Sequence, residues 1–482
     1  MEGVKCGQKL KVLSEDQLDR IHEASLKILE RTGVRYDSPD AVTRLVKNGA
    51  SLKPGTTSVV TFPRGIVEES LRKVPRFRTY YARNPKNDLV WDGEHVFAGS
   101  LGGNPAILDL DTSEPRLSTL NDVVDTTRIM DALPNCHSIS NMVVAADVPA
   151  EVQVVKTMDA MIRNTDKCVS SYALNAQDVD TLAEMWGAVA GGLEPLRKRP
   201  LFIVYGSPTS PLTFDQRTCE MMINGAKYGV PIDIVPCPMS GGTAPVTIAG
   251  GLAQQHAEIL SGIMLNQTVN DKLPTCYCGR LSSLDLRTGG ALWGNAELAL
   301  ASSAAVQLAH RYGIGADVYG VTSDVSYWGM QMGMELMMTA IVPALAGADM
   351  LSGIGGAWGT ASSYEMLVID DDLYGEVFRV VQGIAVDDDR LGVDVIDRAG
   401  PMGNFLAQPH TMKYFREGEL RVSPLWDKRS FDKVKSEGAG TLEARARDEA
   451  RKIMKEHIPQ PLERDVDKAL ADIVKKAIRD RT

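Results

Sequence analysis

The chain of 482 residues has no uninterrupted apolar stretch long enough to cross a bilayer, and its start, MEGVKCGQKLKVLSEDQ, lacks the apolar core of a secretory signal. These two absences predict a cytoplasmic protein. Cysteine is sparse and odd in number. The seven, Cys6, Cys136, Cys168, Cys219, Cys237, Cys276 and Cys278, are scattered, which argues for reduced thiols and against a disulfide framework. Basic residues are the minority charge: Lys+Arg 52 against Asp+Glu 62 gives a formal net charge of -10, which disfavours an extended phosphate backbone as partner. A glycine-rich phosphate turn is missing too, since neither Gly99-Ser-Leu-Gly102-Gly103 nor Gly241 to Pro245 has the spacing of a nucleotide cradle. There is no internal repeat and no low-complexity stretch. With 44% hydrophobic and 24% charged residues, a disordered or fibrous chain is excluded.

What is present is a rhythm. From about Val96 short apolar runs alternate with helical stretches, with strands expected at Phe97 to Ser100, Ser138 to Val144, Cys168 to Leu174, Leu201 to Tyr205, Ile232 to Pro236, Thr275 to Cys278, Ala316 to Tyr319 and Met350 to Gly353. Roughly eight strand-helix units predict an α/β fold, a (β/α)₈ TIM barrel, with a doubly wound sheet as runner-up. The expected division is an N-terminal helical cap over 1–95, the barrel over 96–395, and a C-terminal fold-back segment with helices over 396–482. Ser14 with Gln17 three residues on reads as a capping box for the first helix, which Gly33 stops.

Aromatics amount to only 6% of the chain, so their clustering is informative. Tyr327, Trp328, Trp358 and Tyr364 fall just beyond two consecutive strands, where barrel enzymes hold substrate. Rings without an adjacent nucleophile, base or metal signature fit a cage that grips a cation by its face, and a quaternary ammonium suits such a cage best. The alternative is rings that simply pack the barrel mouth. Asp324 and Glu365 flank these loops and could offset a cation, although Glu365 after Ser362 equally fits a helix-capping box. Arg280, with Arg287 further along its loop, could grip a carboxylate bidentately or cap loop carbonyls instead. His410 lies in an irregular stretch and could donate to the same carboxylate, whereas His22, His256 and His310 fall on helices and read as structural or surface groups. Tyr205 and Tyr277 end other strands and are secondary candidates. Cys276 and Cys278, two apart on one strand, share a face, either lumen or helix side; a metal would need a third ligand, and no His-x-His or Cys-x-x-Cys partner is evident, so no metal site is assigned.

The ordered segments LSEDQLDRIHEASLKILERTGV, SSLDLRTGGALWGNAELALASSAAVQLAHRYG, VTSD, ALAGADML, SSYEMLVIDD, GNFLAQPHTMKYFRE and LWDKRSFDKVKSEG resemble the trimethylamine methyltransferase superfamily over nearly the whole chain. The resemblance implies a (β/α)₈ barrel that delivers a methyl group from an N-methylated amine to the Co(I) corrinoid of a separate protein, with no tightly bound cofactor of its own. Members acting on trimethylamine carry pyrrolysine in the barrel. This chain contains only standard residue types. A tertiary amine leaves poorly unless its nitrogen is made electron-poor, whereas a quaternary ammonium already carries its charge. The expectation is therefore a non-pyrrolysine member, a quaternary amine methyltransferase with glycine betaine as donor, Tyr327, Trp328 and Trp358 near the ammonium, Arg280 and His410 near the carboxylate, and no covalent nucleophile. Other betaines (proline betaine, carnitine, γ-butyrobetaine) or trimethylamine are alternative donors. A metal-dependent lyase or hydrolase using Cys276, Cys278 and His410, and a non-catalytic betaine-binding barrel, are the competing classes. A corrinoid protein and a small amine are the expected partners, without nucleic acid or membrane, in a homo-oligomer.

Overall fold

A computed structural model describes residues 3–357, Gly359 and 361–481 of the chain. Its centre is a closed ring of eight parallel strands: β1 (His95–Ser100), β2 (Ser138–Ile139), β3 (Cys168–Ser171), β4 (Phe202–Gly206), β5 (Ile232–Ile234), β6 (Tyr277–Gly279), β7 (Ala316–Tyr319) and β8 (Met350–Ile354). Each strand pairs with the next, and β8 returns to β1 with Met350 opposite Phe97 and Ser352 opposite Gly99. Eight helices follow the strands in turn, from Leu120–Ala132 after β1 to Tyr364–Gln382 after β8. This is the (β/α)₈ barrel that the alternating apolar runs predict.

Several strand ends differ from expectation by a residue or two, and those of β2 and β3 differ most. β3 stops at Ser171, and β2 stops at Ile139 because beyond it the chain pairs with the loop after β1: Gly103 N–H donates to Asn141 O at 2.8 Å and Asn104 N–H to Met142 O at 3.1 Å. Apolar residues past a strand end are used in building the mouth.

The amino end of the barrel is plugged. A hairpin of Arg78–Tyr80 and Leu89–Trp91 brings Tyr80, Leu89 and Trp91 under the inward-facing Phe97, Cys168, Ile203, Cys276 and Met350. Arg78 rises from it into the lumen and pairs with Asp233 of β5 at 2.7 Å, its guanidinium 5.0 Å from the Trp91 ring. The rest of the N-terminal segment packs along the barrel's flank. Helix Glu15–Arg31, started by the Ser14/Gln17 capping box, lies against helix Ile248–Gln267, which is consequently buried from Gly251 through Asn266. No helix among the described residues is long and apolar enough to cross a membrane.

Between these helices and β6 runs a buried chain of polar groups. Tyr312 Oη lies 2.8 Å from His22 Nδ1, His22 Nδ1 3.2 Å from His256 Nε2, and His256 Nδ1 3.2 Å from Tyr277 Oη. Burial pushes His256 down to about 3, and it does the same to His137, whose Nδ1 accepts the Ala98 N–H. The unfolded chain takes up both protons near pH 6.5 while the folded chain refuses them, so stability is full above pH 6.5 and is lost as the pH falls from there towards 3. At pH 5 each histidine is expected to remove about 2 kcal/mol. Thermal midpoints measured from pH 7.5 to 5 should fall steadily, and His137→Gln should flatten part of that slope.

Candidate substrate cleft at the barrel mouth

A cleft of about 690 Å³, its opening included, lies outside the carboxyl ends of β1, β7 and β8. Trp293, Tyr319, Val321, Met332, Leu336 and Met366 give it an apolar lining; Asn104, Thr322 and Ser323 are its polar side chains, and Gly353, Gly356, Ala357 and Gly359 form a small-residue wall. Gly353 has φ +151°, and a Cβ there would stand 2.8 Å from Val321 O. Only glycine lets β8 approach the β7 loop so closely at the cleft floor.

The central rings are Tyr319, the last residue of β7, and Trp293, in the long loop after β6. Their centroids lie 5.3 Å apart, edge to face at 79°. The Trp293 backbone is held at both ends: its N–H donates to Asp324 and its carbonyl accepts Thr322 Oγ1 at 2.6 Å. Beneath Tyr319, 4.9 Å from its ring, sits the Arg280 guanidinium. Burial opposes the charge of Arg280, but Asp317 offsets it with an ion pair of 2.7 Å to Oδ1 and a bond of 2.8 Å to its backbone carbonyl, so the guanidinium titrates above its ordinary range. Ser352 Oγ donates to the same Oδ1 at 2.7 Å. The rim is acidic. Glu335 accepts from Ser323 Oγ at 2.7 Å, Asp324 N–H at 2.8 Å and Gln331 at 2.7 Å, and burial pushes the Asp324 carboxyl up.

Of the residues singled out from sequence, Asp324 stands at this rim. Trp358 lies outside the described residues, between Ala357 and Gly359 of the cleft wall. Tyr327 is 56% exposed, its hydroxyl donating to Gln331 of the next helix at 3.2 Å, and Trp328 packs against the core; neither is among the residues that line the cleft. Both lie close to the start of helix Met330–Leu345, which presents Met332 and Leu336 to the cleft instead. Tyr364 is buried with its hydroxyl on Asp122 at 2.6 Å. Glu365 is buried in an ion pair with Arg447 at 2.8 Å, at the start of a helix whose cap is Ser363 rather than Ser362.

The expected carboxylate pair is not brought together. Arg280 is taken up by Asp317, while His410 sits on helix Pro409–Arg416, where its ring lies against Tyr414 and its Nε2 is 3.0 Å from Asp389 O. Arg287 is exposed and bonded to Asp285. Tyr277 faces the helix layer and meets His256, because strand alternation sends Cys276 and Cys278 into the lumen and the residue between them outward. Tyr205 faces inward but belongs to a neighbouring hollow with Tyr172, Ser207 and Met221.

Cys276 and Cys278 have a third neighbour that spacing could not reveal. One oxygen of Asp233, on the adjacent strand, lies within 4.8 Å of both sulfurs. Two thiols and a carboxylate are donors that zinc accepts. Arg78 already holds Asp233, and burial pushes both thiols up, so protonated thiols beside an ion pair account for the cluster without an ion.

Trp293, Tyr319 and Glu335 are the cleft residues that sequence reasoning passed over. Tyr319 was accessible by phase, since it is two residues from the inward Asp317; Trp293 stands mid-loop in GGALWGN with nothing local to aim it.

A closed barrel with a ring-lined cleft outside its strand ends is an enzyme of the (β/α)₈ class. The model of the family described as Trimethylamine methyltransferase (MTTB) matches residues 3–481, and the chain belongs to that family of methyltransferases, which transfer methyl groups to corrinoid proteins. It is 32% identical over 464 residues to the trimethylamine methyltransferase MttB of Desulfitobacterium hafniense (strain DSM 10664 / DCB-2), covering 96% of this chain and 93% of that one. It is 31% identical over 467 residues to the glycine betaine methyltransferase of Desulfitobacterium hafniense (strain Y51), covering 96% of each. The monomethylamine methyltransferase MtmB of Methanosarcina barkeri shares the fold, with a TM-score of 0.53 at 14% identity over 94% of this chain and 89% of that one.

Proposed function

We propose that the cleft holds the ammonium group of a quaternary amine and presents one of its methyl carbons to the Co(I) of a corrinoid carried by a separate protein, in the cytoplasm. The observation that carries this reading is the Trp293–Tyr319 pair at the strand ends with Glu335 and Asp324 at the rim: ring faces and carboxylates both favour a cation that can donate no hydrogen bond. The corrinoid supplies the nucleophile. As the new bond to carbon forms, the C–N bond breaks, its electron pair stays on nitrogen, and a neutral tertiary amine leaves. This chain's residues are asked only to seat the ammonium, to align it and to keep water from the apolar wall of Met332, Leu336 and Met366.

Glycine betaine is the donor named first, supported by the likeness to a glycine betaine methyltransferase over almost the full chain. One observation favours a second donor class, quaternary amines without a carboxylate. The polar side chains of the described cleft lining are committed: Thr322 Oγ1 to Trp293 O, Ser323 Oγ to Glu335, Asn104 Nδ2 to Ala361 O and Ser362 Oγ, and Arg280, below Tyr319, to Asp317.

Anaerobic incubation with free cob(I)alamin and each of glycine betaine, tetramethylammonium, choline and trimethylamine, followed by absorbance, tests the reading. At least one quaternary donor should methylate the cobalt and trimethylamine should not. Transfer from trimethylamine with none from any quaternary amine overturns it. Faster transfer from tetramethylammonium than from glycine betaine selects the second donor class.

A further inference from the structure

The wall of the cleft is fastened from outside the barrel. Between Gly355 and Ser363 the chain turns back on itself, with Gly356 paired to Ser362 and Ala357 to Ala361, and the Ser363 N–H closes the base of this loop on Gly355 O at 3.1 Å. Its returning strand pairs in parallel with the hairpin that follows β1, Ala361 opposite Ala106 and Ser362 opposite Ile107. Gly356 and Ala357 of the loop line the cleft, and so does Met366 in the first turn of helix Tyr364–Gln382.

Arg447 reaches both halves of that arrangement at once. Its Nε donates to Glu365 Oε1 at 2.8 Å and its Nη2 to Ser113 Oγ at 2.7 Å, in the turn joining the hairpin strands Ala106–Leu108 and Pro115–Leu117. The other oxygen of Glu365 accepts from Ser363 Oγ at 2.7 Å, and Ser363 Oγ in turn accepts the Glu365 and Met366 N–H groups. A continuous path therefore runs from Arg447 through Glu365 and Ser363 to Gly355, at the root of the wall. Glu365 is 1% exposed, so its carboxylate relies on these partners in place of water, and the guanidinium supplies its counter-charge.

Docking of the C-terminal helix does not account for Arg447. Helix Leu442–Glu456 packs on the first and last barrel helices, Leu120–Ala132 and Tyr364–Gln382, with its Ala446 and Ala450 fully buried. Its end is held separately: His457 Nε2 lies 2.7 Å from Asp131 Oδ2, and His457 O accepts from Arg128 at 2.7 Å. The helix is seated by these contacts, and the arginine extends beyond them to the mouth.

We propose that Arg447 is a positioning residue of the cleft, a clamp from the C-terminal extension that sets how closely the wall of Gly356 and Ala357 stands to the rings of Trp293 and Tyr319. What the cleft takes in rests on the function proposed above; the clamp itself does not. With the wall held, substituents on the ammonium larger than methyl are confined by it. With Glu365 left buried and unpaired, the first helical turn and the wall loop must rearrange to hydrate the carboxylate. Size selection among quaternary ions is thus governed in part from outside the barrel, by a residue that touches no substrate.

Hydrogen exchange on the ligand-free, full-length protein, read by mass spectrometry, tests the clamp without reference to catalysis. In Arg447→Met the amides of residues 355–366 are expected to exchange about tenfold faster or more, while those of β3 and β4 keep their wild-type rates. Adding Glu365→Gln should reverse most of the change, since a neutral amide needs no counter-charge. Unchanged exchange over 355–366 overturns the proposal, as does a uniform rise across the barrel or a local rise that the second substitution leaves in place. Should Arg447→Met fail to fold, Arg447→Lys decides. An ammonium keeps the charge opposite Glu365 but cannot bond both partners through one rigid fork, so the same amides should speed up about threefold, and wild-type rates contradict the clamp. Calorimetric titration with tetramethylammonium and tetraethylammonium supplies the functional readout. The ratio of the two affinities should move about tenfold towards the larger ion in Arg447→Met and return in the double variant, and an unmoved ratio contradicts the positioning role. Wild-type protein that binds neither ion defeats the reading of the cleft as a cation site and leaves the exchange comparison to decide the clamp.

Discussion

Trp293→Ala is expected to lower kcat/KM for a quaternary donor by roughly 30-fold, the equivalent of about 2 kcal/mol for a desolvated cation–π contact. The substitution removes the ring but keeps the backbone bonds to Asp324 and Thr322 that shape the loop, so the lost activity reports the ring itself. Most of the effect should fall on KM, because positive charge leaves the nitrogen as the C–N bond breaks and the ring then grips the ground state at least as strongly as the transition state. Trp293→Phe should recover much of the loss. A Trp293→Ala enzyme within twofold of the wild type would remove the ring pair from the site.

Asp317→Ala should be the most destabilising single change near the cleft, by about 3–5 kcal/mol. It leaves the buried Arg280 guanidinium without its counter-charge and takes the acceptor from Ser352 Oγ. The double variant Arg280→Met with Asp317→Leu removes both charges and should restore most of that stability, since an apolar pair of similar volume avoids the desolvation of two ions. Thermal midpoints of the single and double variants measure both effects. If Asp317→Ala loses less than about 1 kcal/mol, the pair is not the buried anchor on which Tyr319 is seated.

The barrel was legible in the sequence because parallel strands covered on both faces are written as short apolar runs, and ValTyr before Gly320 or MetLeuSer before Gly353 stand out from the amphipathic helices between them. The phase of Cys276 and Cys278 was legible as a shared face, but which face was not. Tyr277 shows the consequence, for its direction depends on whether the thiols or the phenol point at the lumen. Tyr327, Trp328 and Tyr364 fall near the ends of β7 and β8 but do not line the cleft, and Trp358 lies outside the described residues. Tyr327 and Trp328 precede a helix whose own Met332 and Leu336 face the cleft, whereas Trp293 arrives from the preceding strand's loop through a bond between its carbonyl and Thr322, a contact 29 residues apart. Long-range pairing also decided Arg280 and His410. An arginine at a strand end reads as available until its neighbour's Asp317 is seen beside it, and His410 belongs to a segment whose position no local pattern encodes.

Helix Tyr364–Gln382 illustrates the same limit. Asp370, Asp371 and Asp372 are consecutive acids, yet all three are buried, and they fasten Gly355 just after β8, Asn135 and Arg421 respectively. Burial pushes Asp371 up to about 6 and Asp370 well above the carboxylate range.

The ammonium charge itself is tested most directly by titrating the protein calorimetrically with choline and with 3,3-dimethylbutan-1-ol, which share a shape and differ by the exchange of N⁺ for carbon. Tighter binding of choline by about tenfold or more, lost in Trp293→Ala, is the result expected of rings that recognise a cation. Equal affinities for the two would contradict it.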